Sequence, residues 1–251
     1  MEPIYRQELT VTSAAVDCFG RLKPSMLLHY AQEIAGAHST MLSHSYDALM
    51  EKGLFWAIIR NHIQIDRLPM VGESITLETW PMPTTRSAYP RATVGYDKEG
   101  RRLFCMIGLW VLMDANTRAM VLPGKSGVIV EGILRGTELA VPKSLLPKPL
   151  GNTRSRQVCF TDLDRNGHMN NCRYLDWLDD LTSGEFHLTH TIKEMTLCYL
   201  NEAREGQTLD LSWEQGENGS VLVDIHRDTG KADGTFDRVF AAKMIWEPVV
   251  L

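Results

Sequence analysis

The feature that most constrains the fold of this chain is an internal repeat. Four positions recur at one constant offset, each as an identical or similar residue: Val11 with Val158, Asp17 with Asp164, Gly20 with Gly167, and Tyr30 with Trp177. In each half an apolar segment leads into the Asp-to-Gly turn, a helical segment follows, and several strands come after it. That order predicts two α+β units in sequence. Two copies are too few for a solenoid, which needs three or more.

The predicted boundary between the copies is a proline-rich segment. Residues 141–153 hold three prolines and one glycine, a composition that favours extended, semi-rigid chain. We therefore predict an N-terminal domain over residues 1–140, a linker over 141–153 and a C-terminal domain over 154–251.

Apolar patterning predicts one long helix and one long buried strand in each copy. The first helix runs from about Pro24, which suits an opening turn, to about Ser39, and the second from about Asn171 to about Thr182. The strands are Leu103 to Met113 and Val239 to Trp246. Both helices are so apolar that they need a large partner surface, which a sheet wrapped around each helix would supply.

Bulk composition excludes several classes of function. The net charge of −5 and the pI of about 5.9 argue against a nucleic-acid partner. No apolar run is long enough to span a bilayer as a helix, and the first ten residues do not resemble a signal peptide. The five cysteines are odd in number and include no Cys-x₂-Cys pair, so we expect reduced thiols, a cytoplasmic location, no metal and no cofactor.

A polar turn precedes the second helix. Residues 164–174 read Asp-Arg-Asn-Gly-His-Met-Asn-Asn-Cys-Arg-Tyr, and alternate residues of an extended segment point the same way. Asp164, Asn166 and His168 are therefore expected to converge beside a helix N-terminus, where a carbonyl or an oxyanion can be bound and polarised. The alternative for Asp164 is capping, since Asp and Gly are ordinary residues of such a loop.

Comparison of the two copies indicates a single polar site per chain. Where the second copy has Asn166 and His168, the first has Phe19 and Arg21. Glu202 follows a predicted strand of the second copy, and the first copy has an apolar leucine at that point. The polar set is therefore confined to the second copy.

The motif Asp164-Arg-Asn166-Gly-His168-Met-Asn-Asn, with the later Asn201-Glu202, resembles the acyl-[acyl carrier protein] thioesterases of plants and bacteria. The resemblance covers nearly the whole chain. It implies two tandem hotdog domains, each a long helix wrapped by an antiparallel sheet, with Asp164, Asn166, His168 and Glu202 at the catalytic positions. Plant members often carry Cys directly after the Glu, whereas this chain has Ala203. A cysteine nucleophile at that position is therefore excluded.

A thioester hydrolase needs oxyanion donors and a base. Backbone N–H groups near Asn170 and Asn171 could hold the oxyanion. Glu202 is the expected general base, with His168 as its hydrogen-bonding partner or as an acid–base group itself. Asp164 could orient its neighbours or attack directly, and the sequence leaves these alternatives open.

The resemblance also implies a substrate and a partner. It places the acyl pocket mainly in the first copy, for which we name these lining residues: Met26, Met41, Met50, Trp56 and Ile58. The partner would be an acyl carrier protein, and since carrier proteins are acidic, a basic patch is expected from this set: Arg86, Arg91, Arg101, Arg102, Lys143, Lys148, Arg154 and Arg156.

The expected activity is hydrolysis of fatty acyl-carrier thioesters, which ends fatty-acid synthesis. Two alternatives remain: an acyl-CoA thioesterase on the same scaffold, and a non-catalytic hotdog protein that binds acyl chains. The sequence leaves the oligomeric state open, with a homodimer as one option.

Overall fold

The computed structural model describes residues 3–135, 139–216, 218–230 and 235–249. The chain divides into two compact units, Met1–Pro142 and Lys143–Leu251. Among the described residues, no helix has both the length and the apolar character needed to cross a membrane.

The described residues of the N-terminal unit form one long helix, two short helices and six strands. In chain order they are β1 (Tyr5–Thr10), α1 (Pro24–Met41), α2 (Tyr46–Met50), β2 (Leu54–Ile65), β3 (Ser74–Pro81), β4 (Tyr89–Asp97), β5 (Arg102–Asp114), β6 (Met120–Val121) and α3 (Pro123–Ser126). The strands pair antiparallel in the order β1-β3-β4-β5-β2, and β6 pairs with β5.

The helix α1 confirms the prediction from apolar spacing, because it begins at Pro24 and ends two residues beyond Ser39. It packs against β3 and β1. Its buried stripe, which includes Leu27 and Ala31, is fully covered. The predicted buried strand from Leu103 to Met113 lies within β5.

The C-terminal unit repeats this topology with fewer elements. It consists of β7 (Asn152–Gln157), α4 (Arg173–Asp179), α5 (Gly184–Thr189), β8 (His190–Tyr199), β9 (Thr208–Gln215), β10 (Ser220–Asp228) and β11 (Phe236–Pro248). Its strands pair antiparallel in the order β7-β9-β10-β11-β8, which matches β1-β3-β4-β5-β2 of the first unit. Each unit is a hotdog domain, as the resemblance implied.

Backbone hydrogen bonds show that the repeat extends to the segments between elements. In the first unit Val11 N donates to Glu73 O, and in the second Val158 N donates to Gln207 O, each at 2.9 Å. A short 3-10 turn follows in both, at Ser13–Ala15 and at Phe160–Asp162. The sequence repeat is therefore a repeat of three-dimensional structure.

The predicted second helix is wrong at both ends. α4 starts at Arg173 because Asn170 Oδ1 accepts a hydrogen bond from Cys172 N at 2.9 Å, which keeps the preceding residues in a turn. It ends at Asp179, and Ser183 then caps the separate helix α5 by accepting a hydrogen bond from Phe186 N. The helix that is long in the N-terminal unit is thus divided in two in the C-terminal unit.

Tyr174 anchors the short α4 to its sheet. Its ring stacks on Phe240 of β11 at 4.6 Å between centroids and meets Tyr199 of β8 edge-on at 5.9 Å. Tyr199 Oη also donates to Asn171 O at 3.2 Å. These contacts fix the residues just before α4 against the strands.

Candidate active site

The polar turn before α4 is closed by its own backbone. Asp164 N donates to His168 O at 2.8 Å, and Gly167 N donates to Asp164 O at 3.0 Å. Gly167 has φ +73°, a left-handed conformation that glycine adopts without steric cost. The turn thereby brings the two ends of the motif, Asp164 and His168, side by side.

The Asp164 carboxylate lies inside this turn. Its Oδ1 accepts hydrogen bonds from Asn166 N at 2.8 Å and from His168 N at 3.3 Å. Its Oδ2 lies 3.4 Å from Asn166 Nδ2. The carboxylate therefore holds the turn together, and Asn166 itself is exposed.

The first unit makes the same turn without the same chemistry. Asp17 Oδ1 accepts from Phe19 N and Arg21 N, each at 2.9 Å, and the Arg21 guanidinium forms an ion pair with Asp17 Oδ2 at 2.9 Å. Because the aspartate makes equivalent backbone bonds in both copies, its place in the turn needs no catalytic explanation. This supports the capping interpretation of Asp164.

His168 and Glu202 come together, as the family resemblance implied. Nε2 of His168 lies 3.1 Å from Oε2 of Glu202. The His168 side chain is 14% exposed and that of Glu202 is 41% exposed. The pair thus joins a sheltered imidazole to a carboxylate that solvent reaches.

A backbone contact brings Glu202 to the turn. Met169 N donates to Ala203 O at 2.8 Å, and in the first unit Leu22 N donates to Pro69 O at the same distance. The residue before Pro69 is Leu68, which is therefore the structural counterpart of Glu202. The first unit keeps the scaffold and lacks the acid.

The loop that carries Glu202 is held from a second side by Arg227 of β10. Its Nη1 donates to Glu202 O at 2.8 Å and to Gln207 Oε1 at 3.1 Å, and its Nη2 pairs with Asp237 at 2.8 Å. Sequence reasoning missed Arg227, and no motif marks it, since its role depends on strand register.

The predicted oxyanion donors are mostly occupied. Backbone N–H groups of His168, Met169 and Asn170 all donate within the protein, the last to Asp162 O at 2.8 Å. Asn170 acts as a local cap for the chain that enters α4. Among the described contacts, Asn171 N is the one N–H of this group with no protein acceptor. The prediction of donors at Asn170 and Asn171 therefore narrows to Asn171.

Sequence profiles of one family match both units. The acyl-ACP thioesterase N-terminal domain matches residues 2–122, and the acyl-ACP thioesterase C-terminal domain matches residues 150–247. The chain belongs to the acyl-ACP thioesterase family. Membership agrees with the tandem hotdog fold and with the motif from which the resemblance was drawn.

A curated relative shows how far this family member diverges in sequence. It is 24% identical over 222 residues to a chloroplastic palmitoyl-acyl carrier protein thioesterase of Gossypium hirsutum, a match covering 82% of the chain but 54% of that relative. The chain thus spans about half of that relative's length.

The fold of this family member is close to the folds of two solved structures. An acyl-ACP thioesterase from Bacteroides thetaiotaomicron superposes with a TM-score of 0.87 at 23% identity, covering 98% of both chains. A 12:0-ACP thioesterase from Umbellularia californica gives 0.82 at 20% identity, covering 99% of both. These likenesses confirm the fold.

The position after Glu202 and the two cysteines weighed as alternatives, Cys172 and Cys198, are all buried in this family member. Ala203, at the position where plant members often carry Cys, is buried. Cys172 and Cys198 are buried as well, which agrees with their interpretation as small hydrophobes. Among the described residues, no group of His, Cys, Asp and Glu is arranged to hold a metal ion.

Two of the five residues named for the acyl pocket do not fit an enclosed cavity. Met41 is 52% exposed and Met50 is 39% exposed, because both lie at the C-terminal ends of helices. Ile58 is buried, Met26 is half-buried, and Trp56 packs edge-on against Tyr89 at 4.9 Å.

Proposed function

We propose that this chain hydrolyses fatty acyl-[acyl carrier protein] thioesters to the free fatty acid and the carrier thiol, and so ends fatty-acid synthesis. The single observation that carries the proposal is the contact between His168 and Glu202 at 3.1 Å beside the family's motif. A binding protein would gain nothing from an acid and an imidazole so arranged, since the acyl chain is apolar.

In the proposed reaction a water molecule attacks the thioester carbonyl carbon. Glu202 takes a proton from that water, and His168 orients Glu202 or relays the proton. The tetrahedral intermediate collapses as the carbon–sulfur bond breaks. The thiolate leaves and takes up the proton that Glu202 or His168 holds, which returns both residues to their starting state; this is a mild demand because thiolates are good leaving groups.

The turn supplies the other polar groups. The exposed Asn166 amide can orient the attacking water or the carbonyl, and Asn171 N can donate to the oxyanion. One such donor contributes roughly 10²–10³ in rate. Attack by Asp164 is less well supported, because its carboxylate already accepts two backbone hydrogen bonds within the turn.

Release of thiol from acyl thioesters, followed with a thiol-reactive dye, tests the proposal. To distinguish carrier-protein thioesterase from acyl-CoA thioesterase activity, kcat/KM is measured on carrier-linked and CoA-linked substrates over several chain lengths. Higher kcat/KM on carrier-linked substrates is expected. No thiol release from any substrate would leave the non-catalytic alternative.

Docking of the acidic carrier would use a smaller basic set than the sequence suggested. Arg91 is packed inside its domain, and four other residues of that set are ion-paired to carboxylates of this chain: Arg101, Arg102, Lys148 and Arg156. Arg86, Lys143 and Arg154 are exposed. We expect KM for the carrier-linked substrate to rise with salt, because screening weakens such contacts. Salt-independent KM would argue against carrier docking through these charges.

We also propose a cytoplasmic location and a homodimer. All five cysteines are thiols, which fits a reducing compartment, whereas the plant relative is named chloroplastic. Cell fractionation tests the location. Light scattering at several concentrations tests the dimer, and a constant monomer mass would reject it.

A further inference from the structure

Arg91 is a cation packed inside the N-terminal domain. Its Nη1 lies 3.1 Å from His38 Nδ1 and 3.3 Å from Thr79 Oγ1. His38 and Thr79 are both buried, and Arg91 is half-buried. Burial lowers the pKa of Arg91 to about 10, which leaves the group charged at neutral pH.

The charge of Arg91 has no counter-ion among the described residues: no Asp or Glu forms an ion pair with it. Glu78 precedes Thr79 on β3, but its carboxylate pairs with Arg6 and Arg135 instead. Alternate residues of a strand face opposite sides, which explains why Glu78 does not serve Arg91. Shielding a cation from water without supplying an anion costs free energy, so the site is suited to receiving an anion.

Asn61 extends the polar site across the sheet. In the strand register Asn61 of β2 is opposite Gly108 of β5, and Gly108 is opposite Arg91 of β4. The three residues therefore share one face, with Asn61 and Arg91 about 10 Å apart along the sheet. Asn61 is fully buried, and neither its Oδ1 nor its Nδ2 has a partner among the described residues.

Gly108 lets polar side chains of this row approach the sheet closely. A Cβ at that position would lie 2.9 Å from Asn61 Oδ1 and 3.3 Å from Trp110 Nε1. The Asn61 amide and the Trp110 indole thus lean over the glycine from neighbouring positions. Together with Arg91 they present several N–H donors and no carboxylate.

The surroundings of this row are aliphatic. Ile58, Ile63 and Met106 lie on the same face of β2 and β5 and are 4% exposed or less. A small inorganic anion would gain nothing from such neighbours, whereas an anion on a hydrocarbon chain would.

We propose that Arg91 forms a receptor for the carboxylate of an aliphatic acid inside the N-terminal domain. The guanidinium can hold a carboxylate with two parallel hydrogen bonds. The aliphatic nature of the ligand rests on the proposed function. The carboxylate has two sources: the released fatty acid, or a second carboxyl group at the far end of the acyl chain.

Direct binding tests the receptor. Isothermal titration of the full chain with decanoate, and separately with decan-1-ol, compares one hydrocarbon chain with and without the charge. We expect Arg91→Met to weaken decanoate binding about 10- to 100-fold, as loss of a charge-assisted hydrogen bond would. Arg91→Lys should retain part of the affinity, and Arg101→Met, an exposed arginine of the same domain, should bind as wild type does.

Two results would overturn the receptor. One is wild-type affinity for decanoate in Arg91→Met, and the other is equal affinity of the wild type for decanoate and decan-1-ol. Thermal unfolding of each variant checks that it is folded, and Arg91→Lys keeps the test informative if Arg91→Met is not. Titration of Glu202→Gln separates the two proposals, since it should bind decanoate normally whether or not hydrolysis is the activity.

Turnover separates the two sources of the carboxylate. If the second carboxyl group of an acyl chain is the ligand, Arg91→Met should raise KM for an ω-carboxydecanoyl thioester and leave the plain decanoyl thioester unchanged. If the released acid is the ligand, the variant should weaken inhibition by decanoate and leave both KM values unchanged. Unchanged inhibition together with unchanged KM values would reject both.

Discussion

Replacement of Glu202 by Gln is the most direct perturbation of the proposed chemistry. The substitution keeps the size of the side chain and removes its charge and its capacity to take a proton. The loop should not move, because Arg227 and Met169 hold it through the backbone carbonyls of residues 202 and 203. Since the Glu202 side chain is 41% exposed, we expect little change in stability, in line with the weak contribution of exposed ion pairs.

The expected loss is therefore almost entirely in rate. Removing a general base lowers turnover by about 10²–10⁴, which corresponds to roughly 3–5 kcal/mol in the activation barrier. KM should stay within about twofold, because Glu202 contacts the reacting centre and not the acyl chain. The assay is thiol release from a carrier-linked acyl thioester at saturating concentration.

Glu205→Gln is the matched control for this experiment. Glu205 is an exposed glutamate on the same loop, so its substitution changes the net charge equally. It should leave kcat unchanged. A kcat for Glu202→Gln within threefold of wild type, in a protein with unchanged thermal unfolding, would refute the assignment of Glu202 as base.

Three further outcomes are expected. Asp164→Ala and Asp17→Ala should lower the melting temperature by similar amounts, because each carboxylate closes the equivalent turn of its own unit. Only Asp164→Ala should also lower kcat. Equal kcat values in the two variants would reject a positioning role for Asp164. Arg227→Met should lower kcat by about tenfold with little effect on KM, and Arg227→Lys should restore part of it, whereas a change in stability alone would reduce Arg227 to a structural residue. Hydrogen bonds, first from Thr117 N, hold the pKa of Asp114 below its ordinary 3.8, so its contribution to stability is present above about pH 4 and is lost as the pH falls further. Asp114→Asn should therefore lower the melting temperature at pH 7 and not at pH 2. An equal loss at both pH values would contradict this.

The sequence predicted those elements whose signals are local or repeated. α1 was predictable because Pro24 opens a helix and an apolar stripe follows it. Comparison with the first copy marked His168 and Glu202 as polar exceptions, and the family resemblance implied that they pair. Family resemblance then gave the reaction class.

Other features depend on contacts that one sequence does not reveal. The start of α4 is set by the Asn170 side chain, which accepts a hydrogen bond from the backbone and delays the helix, whereas the sequence predicted an oxyanion donor at that residue. Arg91 looked like a surface cation because β4 carries no sign of which face α1 covers. Arg227 reaches Glu202 only through the register of β10, which depends on its neighbours β9 and β11.

The aspartate turn of the first unit has the backbone of a catalytic turn without its catalytic side chains. Its backbone is already shaped like the one that carries His168, and Leu68 already occupies the place from which an acid would reach it. The double substitution Arg21→His and Leu68→Glu would therefore place the dyad on an existing backbone scaffold, with no change in the path of the chain. Turnover by this variant would show how much of the activity depends on the dyad and its backbone scaffold, and how much depends on the surrounding side chains.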